Sequence, residues 1–290
     1  MAKGKEIKRR IKSISSMLQV TKAMEVTSSI KMRKAQEAAV RSKKYAFDGW
    51  KIALELSATH PLFNKKFVSQ REGRILALVV ASDKGLAGSY NADILKKALQ
   101  IIEKNTLENI DFITMGEKAS RFISKLGGNI VASFPLGQDI MFSRLSPVAY
   151  IGWNGFITGK YGRFISIHTH FGSVGKMNAT SLQILPLDIE KLKEFAKNEI
   201  NIKDVEYKIE PDNETLSEAI IRQITRALTY QVILESEAAE HASRMIAMKN
   251  ASDAAKDLRD DFEFTFNQLR QASITQELAE ISAGANAMDQ

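Results

Sequence analysis

Apolar residues return at alternating steps of three and four positions along the C-terminal part of the chain. Ten of the fourteen positions in this stripe are apolar, and no glycine or proline interrupts residues 212–283. A repeat that averages 3.5 residues is typical of a helix packed along a second helix. The pattern predicts one unbroken helix of about 70 residues, roughly 105 Å long. Its seam consists of Ile224, Ala227, Gln231, Leu234, Ala238, His241, Met245, Met248, Ser252, Ala255, Arg259, Phe262, Phe266 and Leu269.

The N-terminal part shows a shorter stripe of the same spacing. It consists of Ile7, Ile11, Ile14, Leu18 and Thr21, and it blurs toward Met24, Met32, Ala35 and Ala39. Residues 5–60 contain no proline and a single glycine, Gly49, which predicts a helix of about 55 residues, roughly 80 Å long. Neither helix can bury its stripe alone. We therefore expect the two to pair as a long antiparallel coiled coil, with the middle of the chain reversing its direction.

Charge is distributed unevenly along the chain. The formal net charge is +7, made up of +9 in residues 1–60, +5 in the middle and −7 in residues 212–290. A uniformly basic chain would suggest nucleic acid as a partner. Opposite charges at the two ends instead favour contact between the ends, or contact with different partners.

The middle of the chain alternates between strand and helix patterns. All 5 prolines and 13 of the 16 glycines lie between residues 61 and 211. We predict strands at 74–81, 110–115, 129–134, 163–171 and 181–187, and helices at 92–103, 117–126 and 144–157. This order predicts an α/β domain with a mainly parallel sheet. The predicted division is an N-terminal coiled-coil helix (1–60), a central α/β domain (61–211) and a C-terminal coiled-coil helix (212–290).

One turn in the middle domain resembles a phosphate-binding loop. Residues 83–88 follow a strand and precede a helix, but they contain neither Gly-x4-Gly-Lys-Ser/Thr nor Gly-x-Gly-x-x-Gly. We interpret them as a tight turn with a helix cap. The chain contains no cysteine, which excludes disulfides, thiolate metal sites and a cysteine nucleophile.

The histidines and carboxylates do not form a recognisable catalytic set. His168 and His170 share one face of a strand, but no carboxylate is near them in sequence, so we expect exposed or partly exposed side chains and no metal. His241 falls on the seam, where a polar residue sets the register. Asp260 and Asp261 are adjacent and point to different sides of a helix, which favours a solvated face over a paired acid and base. We predict no catalytic site and no cofactor.

The basic N-terminal segment, residues 3–12, has a composition that binds phosphate backbones. Its charges are interleaved with Ile7 and Ile11 of the seam, and it has no aromatic residue for stacking on bases. A solvated or protein-facing surface is the favoured interpretation. No apolar run approaches the length needed to cross a membrane, and the segment leads into no apolar signal core.

Specific residues at both ends resemble the gamma subunit of F-type ATP synthase. The resemblance lies in IKSI (11–14), TKAME (21–25) and KMRKA (31–35) of the first helix, and in SRMIAMKNAS (243–252) and NQLRQASITQEL (267–278) of the last. The turn SDKGLAG (82–88) is also similar to the first strand–helix turn of that family. The similarity extends over the whole chain in order.

The resemblance implies a fold and a function. The terminal helices would form a coiled-coil shaft inside a hexamer of alternating alpha and beta subunits. The Rossmann-like α/β domain would lie below, against the epsilon subunit and the membrane rotor ring of c subunits. The shaft would couple proton-driven rotation of the ring to ATP synthesis or hydrolysis in the hexamer, without catalysing a reaction itself. No nucleic acid and no small-molecule substrate is implied.

The resemblance also implies contacts at the level of residues. Arg270 and Gln271 match positions that bond to a catch loop of one beta subunit. Other positions of the contact between shaft and hexamer are matched by Met24, Arg244, Thr275 and Glu277. The apolar tip, residues 281–288, matches the part held in a sleeve at the crown of the hexamer. Alanines expected to keep the turning surface smooth are Ala238, Ala239, Ala242, Ala247, Ala251 and Ala254.

The foot of the shaft departs from the family pattern. Glu210 matches an acidic position that faces the rotor ring, but Ile209 precedes it where the family usually has an aromatic residue. Tyr207, two residues earlier, substitutes only in part.

Two other functions compete with the shaft interpretation. The alternative is a coiled-coil adaptor that binds partner helices or nucleic acid through its basic N-terminal face. A dehydrogenase-like enzyme is a third interpretation, and the missing glycine fingerprint counts against it. As a shaft, the chain would be a peripheral membrane protein on the cytoplasmic face of a bacterial cell membrane, or on the matrix face of the mitochondrial inner membrane.

Overall fold

A computed structural model describes residues 2–59, 67, 71–137, 142–188 and 212–288. The helices in these ranges are α1 (Ala2–Thr59), α2 (Tyr90–Asn105), α3 (Glu117–Lys125), α4 (Phe142–Ile157) and α5 (Asn213–Met288). The strands are β1 (Arg74–Val80), β2 (Ile110–Met115), β3 (Asn129–Phe134), β4 (Tyr161–Ser173) and β5 (Lys176–Leu185). Every helix and strand predicted from the sequence is present, which confirms the predicted α/β class.

The chain forms two compact units. One consists of Met1–Ser29 and Arg244–Gln290, and the other of Ile30–Ser243. The second unit contains the five-stranded sheet. The predicted domain limits adjoin residues 60–66 and 189–211, which lie outside the described residues, so the division into three domains stays a prediction.

The sheet is mainly parallel, as predicted. Its strand order is β3-β2-β1-β4-β5. β1 pairs in parallel with β2 and β4, β2 pairs in parallel with β3, and β5 pairs with β4 in the antiparallel sense. After β3 the chain crosses to the other side of β1 before it adds β4, so the strand order reverses between β1 and β4.

Helices cover both faces of the sheet, which explains the continuous apolar run of β1. On one face Leu76 and Leu78 pack with residues of α4 and with the part of α5 from Ile221 to Ile233. On the other face Ala77 and Val79 pack with residues of α2 and α3. A strand that is buried on both sides has no polar face to show in its sequence.

A buried carboxylate connects the starts of four strands. Asp111 of β2 is 3% exposed and accepts hydrogen bonds from Asn129 Nδ2 (3.0 Å) and Tyr161 Oη (2.9 Å). It also pairs with Arg74. Arg74, Asn129 and Tyr161 are the first residues of β1, β3 and β4. Burial alone would raise the pKa of Asp111, but the hydrogen bonds from these three side chains hold it below its usual value.

A second carboxylate, Asp83, follows the C-terminal end of β1 and also connects separate segments of the chain. It accepts hydrogen bonds from the backbone N–H groups of Glu117 (3.0 Å), Leu136 (3.1 Å) and Gly137 (3.3 Å). Asp83 thereby caps the N-terminus of α3, where the helix dipole favours negative charge. Asp83 therefore caps α3 and not α2, the helix that directly follows the turn. The N-cap residue of α2, Ser89, makes no side-chain cap bond.

In the first unit α1 and α5 run antiparallel, as predicted. Ser252 Oγ donates a hydrogen bond to Thr21 Oγ1 over 2.8 Å. The Arg10 guanidinium carbon lies 5.8 Å from the centre of the Phe262 ring. Residue numbers therefore rise along one helix as they fall along the other. In the second unit Gly49 of α1 faces Ile224 of α5, where an added Cβ would lie 3.4 Å from Ile224 Cγ1.

The burial of side chains follows the heptad spacing on both helices. Every predicted seam position of α5, from Ile224 to Leu269, is buried or half-buried. The α1 stripe does not blur as predicted. It continues at the same spacing through Glu25, Ser28, Met32, Ala35, Ala39 and Ser42, all buried or half-buried. The polar residues among them concealed the repeat in the sequence.

Replacing Asp111 by alanine is expected to lower the free energy of unfolding by about 2–3 kcal/mol, because the buried Tyr161 hydroxyl loses its acceptor and Arg74 loses its counter-charge. Urea unfolding followed by circular dichroism measures the change. The control is Glu103→Ala at an exposed position of α2, with an expected effect below about 0.5 kcal/mol. Equal effects of the two substitutions would show that Asp111 does not hold the strand starts together.

Candidate functional site

The C-terminal stretch of α5 is exposed on all sides. The seam ends at Leu269, and every side chain described from Arg270 to Ser282 is exposed. Successive turns of the helix therefore present all their side chains for contact with other molecules.

A second stripe of heptad spacing runs along this stretch. It consists of Phe264, Asn267, Gln271, Ile274, Leu278 and Ile281. The four apolar members are between 48% and 70% exposed. At 3.6 residues per turn, the stripe lies about half a turn around the helix from the nearby part of the seam. Large apolar side chains exposed on one helix face are typical of a surface that a partner covers.

Four of the residues singled out in the sequence lie on this side of the helix. Gln271 belongs to the stripe itself. Arg270 and Glu277 flank it on one side, and Thr275 flanks it on the other, as helical spacing requires. All four are exposed. We call the stripe together with Arg270, Thr275 and Glu277 the terminal face.

Of the apolar members of the terminal face, only Ile281 was singled out in the sequence, as the first residue of the apolar tip; Phe264, Ile274 and Leu278 were not. Phe264 lies between Phe262 and Phe266 of the seam, so the second repeat begins where the first has not yet ended. The sequence signal that could have revealed them is a second heptad repeat, with alternating spacings of three and four residues. It begins at Phe264 and continues beyond Leu269, where the seam ends. Its polar members, Asn267 and Gln271, weakened that signal.

Two further predicted contact residues lie elsewhere on the helices. Met24 is half-buried on α1, and Arg244 is 8% exposed on α5. About 39 Å of helix separates Arg244 from Arg270. The structure therefore does not bring them to the terminal face. Glu210, with Ile209 and Tyr207, lies outside the described residues.

A shallow surface depression on α1 lies close in sequence to Met24, but Met24 is not among the residues that line it. Its lining residues are Leu18, Gln19, Lys22, Ala23, Val26 and Thr27. Val20 and Val26 are exposed large apolar residues of this part of α1. This part of α1 thus offers apolar surface that the sequence analysis did not single out.

The alanines of α5 do not form one outer surface, which corrects the expectation from the sequence. Ala238, Ala239 and Ala242 are fully buried. Ala239 belongs to the core on the α2 and α3 face of the sheet. The small size of these three residues allows close packing within the second unit, and only Ala254 of the six alanines is exposed.

His168 is buried, against the prediction of an exposed or partly exposed side chain. It is 2% exposed, and its Nδ1 lies 3.1 Å from Ser166 Oγ. Burial lowers the pKa of His168 to about 4, while the nearby Glu235 raises it and His170 lowers it. His170 is exposed, with Nδ1 2.6 Å from Glu235 Oε2. The side chain of Ser236 accepts a hydrogen bond from the Thr169 backbone, so α5 covers this part of β4.

Other candidates from the sequence have simple structural roles. Asp260 and Asp261 are both exposed, as predicted, and Asp260 pairs with Arg259 over 2.7 Å. Among the described residues, no group of three or more histidines and carboxylates is placed to hold a metal ion. No helix in the described ranges is long and apolar enough to span a membrane.

The geometry defines a class of protein before any comparison. An antiparallel helix pair ends in an exposed contact face, and the same two helices continue into a unit built on a mainly parallel sheet. The class is that of α/β proteins with a long antiparallel helix pair that extends from the sheet-bearing part of the chain.

Comparisons with known proteins identify the family. The family model described as ATP synthase matches residues 3–288. The ATP synthase gamma chain of Xanthomonas oryzae pv. oryzae is 36% identical, with 99% of this chain and 100% of that one covered. The ATP synthase gamma chain of Cupriavidus pinatubonensis is 34% identical with the same coverage. The chain belongs to the family of ATP synthase gamma chains, the non-catalytic central-stalk subunits that its terminal sequences resemble.

Solved structures show the same fold. A chain from the central stalk and c-ring of the Tetrahymena thermophila mitochondrial ATP synthase has a TM-score of 0.64 at 23% identity, covering 80% of this chain and 99% of that one. A chain from the Euglena gracilis mitochondrial ATP synthase has a TM-score of 0.65 at 16% identity, covering 99% and 95%. At these identities the likeness concerns the fold.

Lowering the pH from about 8 to about 5 is expected to reduce stability by about 2 kcal/mol through His168 alone. Its pKa is about 4 in the folded chain and about 6.5 in the unfolded chain. The unfolded chain therefore binds a proton first, and stability is lost as the pH falls through 6.5. Urea unfolding at both pH values measures the loss. His168→Gln should remove this part of the pH dependence, whereas His170→Gln should keep it, and the reverse result would contradict the assignment.

Proposed function

We propose that this chain is the turning shaft of an F-type ATP synthase. It couples proton-driven rotation of a membrane ring to ATP synthesis or hydrolysis in a hexamer of alternating alpha and beta subunits. The observation that carries the proposal is the terminal face, which is exposed along its length and carries four large apolar side chains. It also contains four residues that match the hexamer contacts of the family.

The position of the terminal face on one side of α5 explains how a shaft can distinguish identical subunits. In any orientation the face is directed at one beta subunit more than at the others. Contacts that form only with that subunit shift its conformational equilibrium. A thousandfold change in nucleotide affinity corresponds to about 4 kcal/mol. Hydrogen bonds from a charged group such as Arg270 contribute about 1.5–3 kcal/mol each, so a few of them suffice.

The apolar and polar members of the terminal face suit different phases of a rotation. Apolar contacts are non-directional, so Ile274, Leu278 and Ile281 can pass from one partner surface to the next without a large barrier. Hydrogen bonds need a defined geometry, so Arg270 and Gln271 favour particular orientations. The first group supports turning, and the second defines the stops.

Transmission of torque requires helices that do not kink. Sharp kinks arise mainly at proline, at glycine and at interruptions of the helical hydrogen bonds, and residues 212–283 contain neither proline nor glycine. In the first unit the seam residues Met248, Ser252 and Ala255 are buried. Continuous packing of this kind makes the pair stiffer than a single helix.

The proposed partners follow from this role. The alpha and beta subunits surround the terminal face, while the epsilon subunit and the rotor ring of c subunits contact the unit with the sheet and the foot at Glu210. Met24 and Arg244 belong to the same proposed hexamer contact. Nucleic acid and small-molecule substrates have no part in it. The chain is proposed to be a peripheral membrane protein on the cytoplasmic face of a bacterial cell membrane, a location supported by its bacterial relatives.

Affinity purification of the tagged chain from its native cell at moderate salt tests the proposal. Recovery of the alpha and beta subunits with ATPase activity is expected, and the isolated chain should have none. Recovery of the chain alone, or with nucleic acid that dissociates as salt rises, would replace the shaft by the adaptor.

Arg270→Ala and Gln271→Ala are expected to weaken association of the shaft with the hexamer, for Arg270 by about 10- to 100-fold, because charge-assisted hydrogen bonds are lost. The matched control is Gln276→Ala, an exposed glutamine on the opposite side of α5. Binding to purified hexamer and coupled ATP synthesis measure the effects, while circular dichroism should be unchanged. Unfolding caused by Arg270→Ala would show that this side chain belongs to the core.

A further inference from the structure

The last part of the β4–β5 hairpin extends beyond the rest of the described sheet. The pairing of β4 with β1 ends at Val79 and Ile167. From His168 to Ser173, β4 pairs with β5 alone, and β5 is an edge strand. We call residues 168–180 the hairpin end. Because no ladder to β1 holds the hairpin end, its position depends on its contacts with the helices.

Side chains of α5 hold the hairpin end through hydrogen bonds. The backbone N–H of Thr169 donates to Ser236 Oγ over 3.1 Å, and His170 Nδ1 lies 2.6 Å from Glu235 Oε2. The other oxygen of this carboxylate accepts a hydrogen bond from Gln231 Nε2 over 2.8 Å. Hydrogen bonds weaken steeply when their geometry is lost, so a shift of the hairpin end breaks both contacts.

His168 is buried where the hairpin end begins. It is 2% exposed. Ser166 Oγ donates to the Leu182 carbonyl over 3.3 Å, so the N–H on His168 Nδ1 donates to Ser166 Oγ over 3.1 Å. Nε2 is then the atom that takes a second proton. That proton places a positive charge in a side chain without access to water, which is costly.

Two charged groups act on His168, and they oppose each other. Glu235 of α5 favours the protonated imidazole, whereas His170 of the same strand disfavours it. On β5 the residue opposite His168 is Thr180, and α2 contributes the hydroxyl of Tyr90, which lies within hydrogen-bond distance of α5. Burial is the largest influence, and it lowers the pKa of His168 to about 4.

The other charged groups of the surrounding elements lie elsewhere. His241 Nε2 is 3.9 Å from Glu237 Oε1, and both residues lie about half a turn around α5 from the side that holds the hairpin end. Glu240 is buried on α5 but is not among the groups that act on His168. In β1 and the described side chains of α4 the charged residue is Arg74, which pairs with a carboxylate at the opposite end of the strands.

We propose that the hairpin end is a proton-operated latch on α5, closed while His168 is neutral and released when His168 takes a proton. In the released form His168 reaches water, and the contacts of Thr169 with Ser236 and of His170 with α5 are broken. The latch lies within the second unit and does not depend on the proposed function.

The pKa of His168 gives the direction and size of the response. It is about 4 in the closed form and about 6.5 for an exposed histidine. The released form therefore binds a proton first, and its share rises as the pH falls below 6.5. Between pH 7.5 and 5.5 the ratio of released to closed form rises about tenfold. A proton on His170 acts the other way by pairing with Glu235, but His170 is 54% exposed and such pairs contribute little.

Hydrogen exchange at the Thr169 amide measures the release, because this N–H is bonded to α5. The full chain is labelled with 15N-threonine and exchanged at pH 7.5 and 5.5. Dividing the rates of an unstructured peptide at the same pH by those of the chain gives protection factors. Thr114, fully buried in the central strand β2, is the internal reference. Thr169 is expected to be less protected than Thr114, and its protection factor should fall about tenfold at pH 5.5.

Two variants assign the response to one histidine. His168→Gln keeps a donor for Ser166 but removes the titrating group, so the Thr169 protection factor should be equal at both pH values. His170→Gln, two residues away on the same strand, is the matched control. It should lower the protection by no more than about fivefold and keep the tenfold response.

Three results would overturn the latch. Equal protection of Thr169 and Thr114 at both pH values would show that the hairpin end opens only when the whole unit unfolds. A Thr169 protection factor that does not change with pH contradicts the latch, and so does a change that persists in His168→Gln. The comparison of the two amides in the unaltered chain needs no variant, so it decides the question even if His168→Gln does not fold.

Discussion

The structure depends on covering the apolar side of α5. This helix runs from Asn213 to Met288, and a helix with an apolar stripe is stable in water only when the stripe is buried. In the second unit the residues from Ile221 to Ile233 pack on the sheet, and in the first unit the seam packs along α1. In the terminal face four large apolar residues of α5, Phe264, Ile274, Leu278 and Ile281, have no such cover. Their exposure is informative because they share one side of the helix.

The polar groups in the turn after β1 are bonded to neighbouring parts of the sheet unit. In open parallel sheets ligands bind beyond the carboxyl ends of the strands, where the strand order reverses. At the corresponding turn after β1, Asp83 is engaged by the backbone of Glu117 and Leu136, and Ser82 is bonded to Asn91 Oδ1. These polar groups brace neighbouring loops. The sheet thus supports the helices on its two faces. At the opposite end of the strands, Asp111 connects the starts of β1, β3 and β4 to β2.

The sequence predicted regular elements well because their signals are local. Strands β2 and β3 were predicted to the residue, and the α5 seam was predicted completely, since apolar spacing reports burial directly. Burial of several other polar residues was not predicted. Ser28 and Ser42 occupy seam positions, and His168 is buried beneath α5, because contacts between distant segments decide these environments. The same limit applies to Asp111, whose partners come from three other strands. Arg270 and Gln271 were singled out only through family resemblance, and their common face with Ile274 and Leu278 emerged from the exposure of the helix end.

The construction of the terminal face suits the proposed role of a turning shaft. A shaft must release each stationary subunit once in every turn, and the terminal face suits this with exposed apolar side chains and few directional donors. Arg222 and Arg270 lie on one helix without an intervening glycine or proline. Between them α5 has no residue at which proline or glycine would kink the helix.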